Sequence, residues 1–134
     1  MQLRTAGILI IKNRKLLLAF SRNKQCYYLP GGKIDPGETA VQALCREISE
    51  ELNIDIQPEE LIFYTHISAP AYGENTGVIM EQDCFLLQRE VEPRPSAEIA
   101  AADYFSLDDY CREVNQAPGA LMILKQLKEA GRID

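Results

Sequence analysis

The 134-residue chain contains no tryptophan and a single histidine, His66. One imidazole cannot furnish a histidine-rich metal centre, and His66 reads as an ordinary strand residue. Four cysteines, Cys26, Cys45, Cys84 and Cys111, form no C-x-x-C pair. Such spacing supplies neither a zinc ligand set nor a disulfide framework, leaving reduced thiols as the plain reading. Long apolar runs are missing as well. The longest, Ala6–Ile11 and Leu16–Phe20, fall far short of the ~20 residues that span a bilayer. No signal-peptide pattern opens the chain, so a cytoplasmic protein with no membrane partner is expected.

Acidic residues are absent from positions 1–30, which hold six basic ones, whereas the remainder holds eight basic and twenty acidic residues. The net charge of −6 argues against a polymeric nucleic-acid partner, which needs a broad basic surface. A small anion remains accessible to a few cations focused in a cleft.

The two apolar runs flank Lys12-Asn13-Arg14-Lys15 and predict a β-hairpin. Cys26–Leu29 reads as a short strand stopped by Pro30-Gly31-Gly32, and residues 33–37 as a loop. The clearest helix runs from Thr39 to Leu52. Thr39 and Gln42 make a capping-box pattern, and Val41, Leu44, Cys45, Ile48 and Leu52 form one apolar face. Asn53 follows, where a left-handed residue commonly ends a helix. Further strands are predicted at Leu61–Ile67, at Thr76–Leu87 with a bulge or interruption, and at Asp103–Leu107. A short helix from Ser106 or Leu107 through Cys111 and a final one over Gly119–Ala130, with Leu121, Leu124 and Leu127 inward, complete the chain. A mixed sheet with helices packed on it follows, in a single domain over 1–134.

On the helical wheel Glu47, Glu50 and Glu51 share a face, spaced i, i+3 and i+4, with Arg46 beside them. Like charges at these spacings cost about 0.2–0.5 kcal/mol per pair, and the helix dipole disfavours anions in the last turns. A helix built for stability alone would avoid this. Grouped carboxylates are hard oxygen ligands suited to Mg²⁺ or Mn²⁺, and Mg²⁺ in turn favours phosphate oxygens.

Read whole, Gly32–Ile54 resembles the Nudix box, G-x5-E-x7-R-E-U-x-E-E-x-G-U with U aliphatic. Gly32, Glu38, Arg46, Glu47, Ile48, Glu50, Glu51 and Ile54 fall at the required positions, and Asn53 stands in the usual glycine's place. The resemblance implies an α/β fold, the Nudix α/β/α sandwich. It implies Glu47, Glu50 and Glu51 as metal ligands, with the Gly31 carbonyl as a further one. Arg46 would orient the carboxylates, Glu38 would support the loop–helix junction, and Lys33 would reach a substrate phosphate or pair with a carboxylate. Glu98 resembles the acidic residue that many Nudix enzymes place before their last core strand, as an added ligand or as the general base. Family members often carry a tryptophan soon afterwards; here Tyr104 and Phe105 occupy that region.

The implied reaction is metal-dependent hydrolysis of a diphosphate linkage in a nucleoside diphosphate joined to a group X. Its proton would go to a carboxylate such as Glu51 or Glu98, so the catalytic candidates are Glu47, Glu51, Arg46 and Glu98. Arg22, Lys24 and Lys33, with Arg4, are candidates to bind substrate phosphate, and Tyr27, Tyr28, Tyr64 and Tyr72 to stack on a ring. Two other readings stay open. One is a nucleotide-sensing module that keeps the fold without cleaving. The other is an isoprenyl diphosphate isomerase, which would use Cys26 or Cys84. Nudix proteins often dimerise, so a homodimer is compatible with the resemblance, although no surface stripe identifies an interface.

Overall fold

A computed structural model describes the whole chain, Met1–Asp134. The strands are β1 (Gln2–Leu9), β2 (Ile11–Lys12), β3 (Lys15–Ser21), β4 (Cys26–Tyr28), β5 (Gly31–Lys33), β6 (Leu61–Pro70), β7 (Ile79–Leu87) and β8 (Ile99–Phe105). Helix α1 (Ala40–Leu52) follows β5, while α2 (Leu107–Cys111) and α3 (Pro118–Glu129) close the chain. Two four-stranded sheets result, one ordered β5-β1-β7-β6 and the other built on β3, which pairs with β2, β4 and β8. β1 and β7 run parallel and every other pairing is antiparallel.

The central strands β1 and β3 are buried on both faces. On one side Leu44, Ile48 and Leu52 of α1 pack with Ala6, Ile8, Leu17 and Ala19. On the other, Ile123, Leu124 and Leu127 of α3 pack with Leu9, Leu16, Leu18, Cys84 and Leu86. Neighbours in β1 and β3 therefore point into opposite layers, which is why these strands read as unbroken apolar runs. The result is the expected α/β/α sandwich with mixed strand directions.

The expected hairpin forms only at its tip, where Ile11 and Lys12 pair with Leu16 and Lys15. Beyond the tip the two runs separate, β1 into one sheet and β3 into the other, because each needs partners on both edges. Gly31 and Gly32, expected to stop a strand, instead begin β5, paired with Gly7 and Ala6. A Cβ on Gly31 would lie 2.0 Å from the Ala6 carbonyl oxygen, and its φ of +145° suits only glycine. The bulge sits in β6, between Phe63 and Thr65, rather than in β7. β6 runs on to Pro70 and β8 starts earlier, at Ile99.

Helix α1 keeps its expected boundaries. Thr39 Oγ1 accepts from the Gln42 amide at 3.1 Å, and Gln42 Oε1 accepts from the Thr39 amide at 2.9 Å. Asn53 caps the end at φ 55°. In α3 Leu124 and Leu127 are buried as expected, Ile123 joins them, and Leu121 is only half-buried.

Gly31→Ala should destabilise the fold by roughly 3 kcal/mol, since it adds both a backbone clash and a disfavoured φ. Urea unfolding measures this, and a loss below roughly 1 kcal/mol would mean that β5 can move away from β1 at little cost.

Candidate active site

The first turns of the box are organised by Arg46. Its Nε and Nη2 donate to the two oxygens of Glu38 at 2.8 and 2.9 Å, Nη1 donates to Glu47 at 2.6 Å, and Nη2 also reaches the Lys33 carbonyl at 3.2 Å. Asp35 lies 3.3 Å and Glu50 4.0 Å from the same guanidinium. Glu38 additionally accepts from the Asp35 amide at 2.9 Å. The Arg46 hydrogen bonds, helped by that amide, pull the Glu38 carboxyl down to about 2, while Glu38 and Glu47 together raise the guanidinium's pKa. Arg46 thus ties the loop after β5 to the acidic face of α1.

Glu51 sits one turn beyond Glu47 and is held differently. Its Oε1 accepts from the Gly31 amide at 3.3 Å, and the side chain is largely buried. Burial first, then the charge of Glu47, push its carboxyl up to about 8, with smaller contributions from Glu98 and Glu50. Gly32 lets Glu47 lie against the backbone, since a Cβ there would fall 2.4 Å from the Glu47 carboxyl carbon.

Glu98 arrives from the far side of the chain. Ser21 Oγ, wholly buried, donates to its carboxylate and accepts from the Lys24 amide at 3.1 Å. The segment before it is stitched to the end of α1. Backbone bonds join Arg94 to Leu52 (2.8 Å) and Ser96 to Glu51 (2.9 Å). Asn53 Nδ2 donates to the Arg94 carbonyl at 2.6 Å and to Ser96 Oγ at 3.1 Å. Asn53 is therefore more than a helix terminator. Glycine at that position would supply the backbone conformation but not this clamp.

A cavity of about 480 Å³ opens beside these groups, walled in part by Gly31, Glu47, Glu51 and Glu98. Lys33, Lys24 and Tyr28 also reach it, as does Tyr72. Lys24 lies over the Tyr28 ring, 5.5 Å from its centroid, with Glu74 at 3.8 Å. Other candidates lie elsewhere. Arg22 stands outside the cavity wall and donates to the Ala97 carbonyl, bracing the Glu98 segment. Glu50 is exposed and outside the cavity wall. Tyr27 donates to Asp103 at 2.5 Å, and Tyr64 lies beneath Arg132 at 5.0 Å. Arg4 is exposed outside the wall. Cys26 and Cys84 are buried away from the cavity, and burial raises both thiols, that of Cys84 to about 12. Burial thus holds both against the thiolate form that an isomerase would need.

As the side chains stand, no three carboxylates converge on one point. Glu47 turns to Arg46, Glu51 to Gly31 and Glu98 to Ser21. The donors still fit a hard divalent cation. They are all oxygens, those of Glu47, Glu51 and Glu98 line one cavity, and burial with neighbouring anions makes Glu51 resist ionisation.

The sequence profile of the NUDIX domain matches residues 1–127. The chain belongs to the Nudix family. Among Nudix relatives, human 8-oxo-dGDP phosphatase NUDT18 is 36% identical over 135 residues, covering 90% of this chain and 42% of its own length. An RNA pyrophosphohydrolase from Francisella tularensis is 35% identical over 60 residues, covering 45% of this chain and 39% of that protein. The chain therefore spans about two fifths of the length of these curated relatives. The crystal structure of a MutT Nudix hydrolase from Burkholderia pseudomallei superposes with a TM-score of 0.76 at 25% identity, over 95% of this chain and 98% of that one. No helix is long and apolar enough to cross a membrane.

The raised Glu51 carboxyl has a thermodynamic consequence. The folded chain holds that proton more tightly than the unfolded one, so between pH 4.5 and about 8 rising pH erodes stability. In metal-free buffer, Glu51→Gln should therefore raise Tm, by roughly 5 °C at pH 8 and little at pH 5. Calorimetric scans across that range check it; an equal gain at both pH values would mean the carboxyl is not desolvated.

Proposed function

We propose that residues 1–134 form a metal-dependent Nudix pyrophosphohydrolase domain that cleaves the diphosphate linkage of a nucleoside diphosphate joined to X. The observation that carries this reading is the burial of Glu51 beside Glu47 and Glu98, on a cavity that also holds Lys33 and Lys24. A protein that only sensed nucleotide would gain nothing from a carboxylate so costly to ionise.

Glu47, Glu51, Glu98 and the Gly31 carbonyl would hold Mg²⁺ or Mn²⁺, with Glu50 joining from its exposed position on α1. A bound cation supplies charge neutralisation at the phosphates and a lowered pKa for water. Arg46 keeps Glu47 and Glu38 in register between loop and helix. Lys33 and Lys24 draw the anionic chain into the cavity. Glu98, fixed by Ser21 across from α1, and Glu51 are the two groups able to accept the proton of the attacking water. Water bonds to one phosphorus as that atom's bond to the bridging oxygen breaks, and the departing phosphate takes up the charge.

Because the human relative is named for 8-oxo-dGDP, that nucleotide belongs in the substrate panel with nucleoside triphosphates, nucleotide sugars and ADP-ribose. With Mg²⁺ or Mn²⁺ the parent should release phosphate or pyrophosphate from at least one of them. Glu50→Gln combined with Glu51→Gln should slow release about a hundredfold or more. Equal rates in parent and double variant would defeat the metal-site proposal. Product mass separates the isomerase reading, since hydrolysis adds water and isomerisation adds nothing. The cation should also raise the parent's Tm by mass action and leave the double variant's nearly unchanged.

A further inference from the structure

The last turn of α1 carries Glu50 and Glu51, and a helix end leaves its final carbonyls without intrahelical partners. Here one short segment, residues 94–98, takes up three of them. Ser96 Oγ donates to the Glu50 carbonyl at 2.6 Å, the Ser96 amide to Glu51 at 2.9 Å, and the Arg94 amide to Leu52 at 2.8 Å. Pro95 drives Arg94 toward an extended backbone, whose N–H and C=O point to one side. Both therefore face the helix end, and the Arg94 carbonyl accepts from Asn53 Nδ2 at 2.6 Å. Asn53 Nδ2 also donates to Ser96 Oγ at 3.1 Å, which leaves the hydroxyl proton aimed at Glu50.

The far end of the segment is pinned to the end of β3 and the residue after it. The Arg22 amide donates to the Glu98 carbonyl at 2.9 Å, the Arg22 guanidinium to the Ala97 carbonyl, and Ser21 Oγ to the Glu98 carboxylate. Between the two anchors Ala97 sits at φ 55°, a left-handed conformation that alanine keeps only where its surroundings enforce it. The Glu50–Glu51 turn and Glu98 thus belong to one hydrogen-bonded unit, and Glu51 and Glu98 both line the cavity. The glycine usual at position 53 of such a box would keep the left-handed helix end and lose both side-chain bonds.

We propose that Asn53 and Ser96 are positioning residues, which fix the backbone carrying Glu98 against the Glu50–Glu51 turn. A divalent cation then enters between carboxylates whose carriers already stand at a set separation. This rests on the pyrophosphohydrolase reading for the cation, and on hydrogen bonds alone for the hold. Because the segment is ordered on folding, little ordering cost is left to oppose cation binding. The partners that orient a ligand weigh on metal affinity almost as the ligands do.

Asn53→Gly tests the hold without turnover, because glycine suits the helix end and removes only the side chain. In the metal-free protein, hydrogen exchange followed by NMR should be about tenfold faster at the Arg94, Ser96 and Arg22 amides. The Ile48 amide inside α1 should keep its parent rate. Calorimetric titration with Mn²⁺ should show binding about tenfold weaker than in the parent. Ser96→Ala should act likewise, whereas Ser96→Thr, which retains the hydroxyl, should stay near the parent. Asn13→Gly makes the same change at a left-handed residue of the β2–β3 tip, φ 52°, and should keep the parent's Mn²⁺ affinity. In a Glu98→Gln background Asn53→Gly should weaken Mn²⁺ little further, since the hold acts through Glu98. Parent exchange rates at Arg94 and Ser96 in Asn53→Gly, exchange raised equally throughout α1, or parent Mn²⁺ affinity would each overturn the proposal. So would a full tenfold loss in the Glu98→Gln background. A parent that binds no Mn²⁺ would overturn the pyrophosphohydrolase reading, and the exchange pattern would then decide the hold by itself.

Discussion

The charge of Arg46 is what allows so many carboxylates to occupy one corner of this fold. Glu38 and Glu47 bond to it directly, and Asp35 and Glu50 stand within 4.0 Å. Single ion pairs at half-exposed positions contribute little. Here one rigid guanidinium meets two carboxylates and a backbone carbonyl at once, so the geometry of each partner is set by the others. The loop after β5 is thereby bound to α1, and β5 is bound to β1 through the close approach that Gly31 permits. Removing the guanidinium would leave a cluster of like charges on a helix already poor in compensation, with no basic residue in its last turn.

Glu51 shows what the same helix does without such a partner. It lies one turn from Glu47, yet its nearest donor is only the Gly31 amide. Glu38 and Glu51 are thus driven in opposite directions, Glu38 to about 2 by Arg46 and Glu51 to about 8 by burial and neighbouring anions. Of the two only Glu51 lines the cavity, while Glu38 is held ionised against Arg46. The neighbouring anions also make the corner sensitive to any cation that enters, since a positive charge near Glu51 would relieve the crowding that Arg46 is too far along the helix to relieve.

Much of this was legible in the residues, and the boundary of legibility has a physical cause. Helix α1 announces itself because its cap, its apolar stripe and its terminator are local features, all within Thr39–Asn53. The carboxylate face follows from the same wheel. By contrast, β5 is made of two glycines and a lysine, residues poor in strand propensity. What creates it is an approach to the Ala6 carbonyl that no local pattern encodes. The two sheets were hidden for a related reason, because strands buried on both faces lose the alternation that would assign each side chain to a layer. Asn53 was readable as a helix end, but its clamp on Arg94 and Ser96 depends on a segment some forty residues away.

β1 is where these separate features become one mechanism. Along one edge its Ala6 and Gly7 receive Gly32 and Gly31, which fix the box; along the other its Thr5 meets Gln82. Because side chains alternate along a strand, Thr5 faces the cavity while Ala6 and Ile8 face α1. A slip of one residue would therefore turn the polar floor toward α1 and break the glycine contact in the same movement. The charged corner and the neutral floor share a single register, so the distance between them is set by strand spacing rather than by flexible loops.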